Sequence, residues 1–402
     1  MQPGHEADAA PLRTGAGRSD AASFDDARSM GGAVPSHGRS ALWQSLTRLG
    51  GLLPATRAED QDPWALLRGG RDPSFRGSPY GRLVRTACSE GDLRGPRFDA
   101  HVPPGGYSWW YIDAISEDGQ HGLTIIAFVG SVFSPYYKRS GRGDPLDHSC
   151  LNVALYGPNA RWVMTERPRE CVAQGKRELT IGPSHVEWDG NALVIDIEER
   201  DTRLFNPIHR PVRGRVRVIP EALNPAAFAL DGNENHIWHC MAPRARIEVD
   251  MDEPGLSWSG KGYFDHNRGR EPLEDGFRVW HWSRAHTRKG SVVCYEGERA
   301  DGSLFASAIR FNAAGIPEEA ELPAMAELPP SRWRIERRTR SEIGLAKLQR
   351  GWEDTPFYSR CELTSQLYGE QVVAVQESLD MRRFANPLVQ FMLPYRMPRS
   401  RG

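Results

Sequence analysis

The chain has 402 residues with 51 basic and 52 acidic side chains, and a net charge of −1 offers no general electrostatic attraction to nucleic acid or to anionic lipid. Hydrophobic residues make up 39% and charged residues 26%, a globular balance, and no run approaches the roughly 20 consecutive apolar residues of a membrane-spanning helix. Six dispersed cysteines without a Cys-x-x-Cys pair fit neither a disulfide scaffold nor a zinc ribbon.

The start, Met1-Gln2-Pro3-Gly4-His5-Glu6, lacks the basic and apolar regions of a signal peptide, so a cytoplasmic protein is expected, with any membrane contact peripheral. Residues 1 to 60 are rich in Ala, Gly, Ser, Asp and Arg with little periodicity and read as largely disordered. Ala41 to Leu49 has helical spacing, suited to a docked or transient helix more than to a membrane-touching one.

From residue 100 the pattern becomes β. Trp109-Trp110-Tyr111-Ile112-Asp113 and Leu123-Thr124-Ile125-Ile126-Ala127-Phe128 flank Glu117-Asp118-Gly119-Gln120, and Asp-Gly between two strand-like runs predicts a hairpin. The device recurs at Asp189-Gly190-Asn191, at Asp252-Glu253-Pro254-Gly255 and near Asp301-Gly302. Short alternating strands joined by tight turns predict antiparallel barrels or sandwiches, not a parallel α/β sheet. Tyr107-Ser108-Trp109-Trp110-Tyr111-Ile112 is echoed by Phe277-Arg278-Val279-Trp280-His281-Trp282, which suggests two tandem barrels, the second starting near residue 273. Arg332, Arg334, Arg337, Arg338 and Arg340 read as a solvated strand face. The apolar Phe384 to Arg396 reads as a closing barrel strand, with seating on lipid as the alternative.

No Gly-x-Ser-x-Gly elbow, P-loop or dinucleotide-binding glycine pattern is present, so nicotinamide, ATP and serine-hydrolase chemistries have no motif. The density of chemical groups falls between residues 231 and 284. On strands, His236 and Trp238 share one face, and Tyr263 and Asp265 share another. If both segments line one cavity, a carboxyl, an imidazole and two aromatic faces converge. The same spacing also suits an aromatic core with Asp265 as a turn residue at a strand end. His236, His239, Asp265, His266 and His281 could ligate a metal, but no His-Glu-x-x-His or similar frame organises them, and no metal is expected.

Trp109-Trp110-Tyr111, His236-x-Trp238, Gly262-Tyr263-x-Asp265-x-Asn267 and Trp280-x-Trp282 together resemble the carotenoid 1,2-hydratases, or hydroxyneurosporene synthases, from about residue 95 to Pro394. The resemblance implies a mainly β fold of two tandem lipocalin-like antiparallel β-barrels behind a largely disordered N-terminal extension. Residues 1–90 would be the extension, 91–272 the first barrel with the catalytic residues, and 273–402 the second. It implies cofactor-independent hydration of the terminal 1,2 double bond of acyclic carotenoids such as neurosporene or lycopene, in spheroidene or spirilloxanthin synthesis in phototrophic bacteria. Carried over residue by residue, the functional positions are His236, Trp238, Tyr263 and Asp265.

Such a reaction needs Asp265 as a neutral acid, Trp238 and Tyr263 as π faces toward a tertiary cation, and His236 either to orient Asp265 or to activate water. The expected partners are an acyclic carotenoid, water and the lipid of the inner or photosynthetic membrane, without nucleic acid. Two rival readings share the scaffold: a non-enzymatic carrier of a hydrophobic ligand, and a polyene or terpenoid cyclase or isomerase.

Overall fold

Glycines in left-handed backbone set the hairpins where the sequence places them. Gly119 (φ +67°) turns strand Tyr107–Ser116 into Gly122–Val129, and Gly190 (φ +107°) turns Ser184–Trp188 into Leu193–Arg203. Side chains with a Cβ adopt these angles only under strain. The protein is described from a computed structural model that covers residues 83–87, 95–203 and 206–401. The segment at residues 41–49 read as helical and the leader read as disordered lie outside the described residues.

Among the described residues, every strand pairing is antiparallel apart from one isolated bridge, Glu166 with Arg399. A first sheet of thirteen strands runs between Val84 and Gly269, and its strand Arg161–Arg167 packs back against Leu193–Arg203, so the sheet curls into a nearly closed barrel. A second sheet of seven strands begins at Phe277. The fold is mainly β. Five strands and one helix position the site: β1 (Tyr107–Ser116), β2 (His236–Glu253), β3 (Leu256–Gly269), β4 (Phe277–Thr287), β5 (Glu370–Asp380) and α1 (Pro387–Arg396).

Strand alternation splits the aromatic run of β1 between two cores. Trp110, Ile112 and Ala114 point into the first barrel with Ile125 and Phe264. Trp109 and Tyr111 point out of it and pack with Trp238, Tyr263, Trp280 and Trp282. That outer wall is therefore not a surface, because the second sheet covers it. A buried ionic clamp joins the two. Asp113 of β1 accepts from Arg284 Nε at 2.8 Å and from Arg360 Nη2 at 2.9 Å, and Arg360 also pairs with Glu377. Burial pushes the Asp113 carboxyl up, but the two guanidiniums outweigh it and hold it below the ordinary carboxylate range.

Two segments depart from expectation. Residues 387–396 form helix α1 and not a closing strand: Asn386 caps it by accepting from the Leu388 backbone N–H, and Pro387 supplies the first helical φ. The basic stretch is in large part buried instead of solvated. Arg337, Arg338 and Arg340 lie in a buried strand, where Arg340 pairs with Glu296 and Arg337 donates to the Pro329 carbonyl. Such burial needs a partner for each charge, and Glu296, 44 positions away, is one no local pattern announces.

Candidate active site

Asp265 sits on the outer face of the first barrel, 4% exposed, beneath the second sheet. Its Oδ2 accepts two hydrogen bonds, from Tyr263 OH at 2.7 Å and Trp238 Nε1 at 3.0 Å, and its Oδ1 accepts from Asn267 Nδ2 at 3.1 Å. Tyr263 and Asn267 flank it at alternate positions of β3, while Trp238 lies across the ladder on β2, opposite Asn267. Desolvation pushes the Asp265 carboxyl up to about 8, against the two donors on Oδ2, which favour the charged form. Glu377 and Asp113 add a smaller upward push through their charge.

The carboxyl lines a cleft between the two sheets. Asp265 and Asn267 line it; Trp238 and Tyr263 do not, although both are fully buried. The aromatic walls are instead Trp109, Tyr111, Trp280, Trp282 and Tyr295. Trp238 and Tyr263 thus stand behind the acid as hydrogen-bond donors, where the sequence reading gives them π faces toward the ligand. The walls lean on this pair edge-on: Tyr295 contacts Trp238 at a centroid distance of 5.6 Å and Trp282 contacts Tyr263 at 5.2 Å.

His236 shares the Trp238 face of β2 as expected, but its hydrogen bonds lead elsewhere. Nδ1 pairs with Tyr107 OH at 2.9 Å and Nε2 with Glu271 at 3.1 Å, and no hydrogen bond joins it to Asp265. Tyr107 in turn stacks on Trp109, a wall of the cleft, at 4.7 Å. Burial lowers the His236 pKa, opposed by Asp231 and Glu271. Two glycines make room for the ring: a Cβ at Gly276 would stand 2.2 Å from Nε2, and one at Gly269 3.0 Å from Nδ1.

The other side chains weighed as metal ligands disperse. His239 bonds the Asn224 carbonyl, His266 bonds Ser108 and stacks on Trp110, and His281 bonds Ser378.

Sequence reasoning missed the second sheet's contribution. Glu377 of β5 and Glu353 both line the cleft. Tyr111 OH donates to Glu377 Oε1 at 2.7 Å, and Tyr156 OH donates to Glu353 at 2.9 Å. Burial raises the Glu353 carboxyl. Helix α1 lends Val389, Met392, Leu393 and Arg396 to the wall of the cleft. The opposite side of α1 exposes Leu388, Phe391 and Tyr395, the middle one by 64%. Among the described residues, no helix is long and apolar enough to cross a membrane.

The carotenoid hydratase CrtC family matches residues 125–402. The chain is 49% identical to an acyclic carotenoid 1,2-hydratase of Thiocapsa roseopersicina, over 94% of each chain. It is 44% identical to the protein of the same description in Rubrivivax gelatinosus, over 93% of each. Among solved structures, kievitone hydratase from Nectria haematococca aligns with a TM-score of 0.40 at 11% identity, covering 69% of this chain and 90% of that one.

Proposed function

The chain belongs to the carotenoid hydratase CrtC family and is a hydro-lyase for an acyclic carotenoid, and on that premise we propose that it adds water across the terminal 1,2 double bond of neurosporene or lycopene, with Asp265 as the acid. The observation that carries this reading is a buried carboxyl, raised to about 8 by desolvation, that lines a cleft walled by aromatic side chains. An alkene is a weak base, so its proton must come from an acid that is still neutral near pH 7.

The bonding around Asp265 suggests which oxygen gives the proton. Tyr263 and Trp238 fill both lone pairs of Oδ2, which makes it the carbonyl oxygen of the neutral acid. The proton then rests on Oδ1, on the side of Asn267, which lines the cleft. Transfer to C2 leaves a tertiary cation at C1. Trp280, Trp282 and Trp109 offer π faces worth about 0.5–2 kcal/mol each toward the cation when desolvated. Water adds at C1, and the proton it releases restores Asp265, so the cycle needs no cofactor. Trp238 and Tyr263 are positioning residues for the acid. His236 is a positioning residue for the Tyr107–Trp109 stack.

The division of labour in this reading places the acid on the barrel of residues 91–272 and its cover on residues 273–402. A bilayer-dissolved hydrocarbon must reach the cleft from lipid, and α1 is the element suited to meet it, with one face on the cleft and Leu388, Phe391 and Tyr395 outside. Incubation with lycopene or neurosporene in H₂¹⁸O tests the reaction. A labelled tertiary alcohol is expected; an unchanged polyene in a stoichiometric complex, or an unlabelled isomer, would contradict it.

A further inference from the structure

Hydration also requires that water be held beside C1, and His236 is not among the side chains that line the cleft. The cleft offers another group. Tyr111 lies directly opposite Asp265 on the adjacent strand, and its hydroxyl donates to Glu377 Oε1 at 2.7 Å. Arg360 pairs with the same oxygen, and Arg360 is itself held by Asp113. Glu377 Oε2 has no hydrogen-bond partner among the described residues, and the side chain lines the cleft beside Trp282, its neighbour across the ladder. One carboxylate oxygen is thus fixed from behind, and the other is left as an acceptor near the acid.

We propose that Glu377 holds the attacking water by accepting one of its hydrogens at Oε2, while Tyr111 and Arg360 fix Oε1. This rests on the hydration chemistry proposed above. The Asp265 O–H bond breaks as C2–H forms. The water oxygen then forms the C1–O bond, its free O–H breaks, and that proton returns to Asp265. The hydrogen donated to Glu377 stays on the product hydroxyl, so nothing else is consumed. Accepting a hydrogen also leaves the water's lone pairs free to point at the cation.

Capture and protonation can be read separately, because an uncaptured cation collapses to alkene by losing a proton. In D₂O, full-length protein with lycopene therefore reports capture as alcohol and protonation as deuterium in the recovered polyene. Glu377→Gln keeps its amide oxygen toward Arg360 and Tyr111 and turns a donor, not an acceptor, to the water. Hydration is expected to fall by about 100-fold, with deuterium still entering the recovered polyene, so that exchange rises relative to hydration. Tyr111→Phe should move the same ratio in the same direction, and it serves if the first variant does not fold. Parallel loss of hydration and exchange, or no change in either, would overturn the proposal. A wild-type protein that neither hydrates nor exchanges would overturn the hydration reading itself, and the variants are not needed to see it.

Discussion

Trp238 presents its indole N–H, not its face, to the chemistry: Nε1 donates to Asp265 Oδ2 at 3.0 Å, and the ring lies behind the cleft wall. Tyr263 donates to the same oxygen from two positions along β3. The acid is therefore gripped on one oxygen and open on the other, between two sheets that a buried Asp113–Arg284–Arg360 clamp holds together.

The pH dependence follows from the raised carboxyl. With Asp265 as the proposed acid, activity requires it neutral, so the rate should be level below and fall as pH rises through about 8. Tyr263 stabilises the charged form by donating to it, so Tyr263→Phe should move this alkaline limb upward as well as slow the reaction. The stability sign runs the same way. The folded protein holds the Asp265 proton to about 8, whereas the unfolded chain gives it up near 3.8. This contribution is complete below the unfolded value and is lost as pH rises through the folded one. Unfolding in urea across that window should show the loss in wild type and not in Asp265→Asn.

The His236 pocket makes a distinct demand. Gly276→Ala would drive a methyl into the imidazole and break its bond to Glu271 or Tyr107. A buried group left without its partner costs about 1–3 kcal/mol, so both Gly276→Ala and His236→Ala should lower the urea midpoint by that order. The alkaline limb set by Asp265 should stay in place in both, because His236 makes no bond to it. A limb that moves with His236→Ala would mean direct contact with the acid during turnover.

Membrane access is tested on α1. Phe391→Asp replaces an exposed apolar side chain, so the fold should be kept. Flotation with liposomes should weaken, and hydration of bilayer-embedded lycopene should drop by roughly the lost partitioning, about tenfold for an aromatic side chain of 1.5–3 kcal/mol only partly buried in lipid. Hydration of detergent-dispersed lycopene should be unchanged.

Much of the site was legible because alternation along a strand is strict. A period of two puts Tyr263 and Asp265 on one face; their pairing with Trp238 comes from the family resemblance and not from spacing. Alternation does not say which face of a barrel wall is inside, however. Along β1 nearly every residue is buried, Trp110 in one core and Tyr111 in the other, so polarity carried no mark of direction. Glu377 could not be found locally: it meets Tyr111 across 266 positions through the pairing of two sheets. At α1 the apolar run alone supports a strand as well as a helix, and the start at Asn386 and Pro387 is what makes it a helix. The glycines at 269 and 276 mark the His236 pocket only once the fold brings them to the ring.

The most direct test of Asp265 as the proton donor is Asp265→Asn, compared with wild type on lycopene in H₂¹⁸O. An asparagine is nearly the same size and can keep the Tyr263 and Trp238 donors on its carbonyl, so the fold and carotenoid binding should survive. The expected result is labelled 1-hydroxy carotenoid from wild type and, with the acid removed, a rate lower by at least about 1000-fold. A folded, carotenoid-binding variant that still forms labelled alcohol at a substantial fraction of the wild-type rate would contradict the assignment.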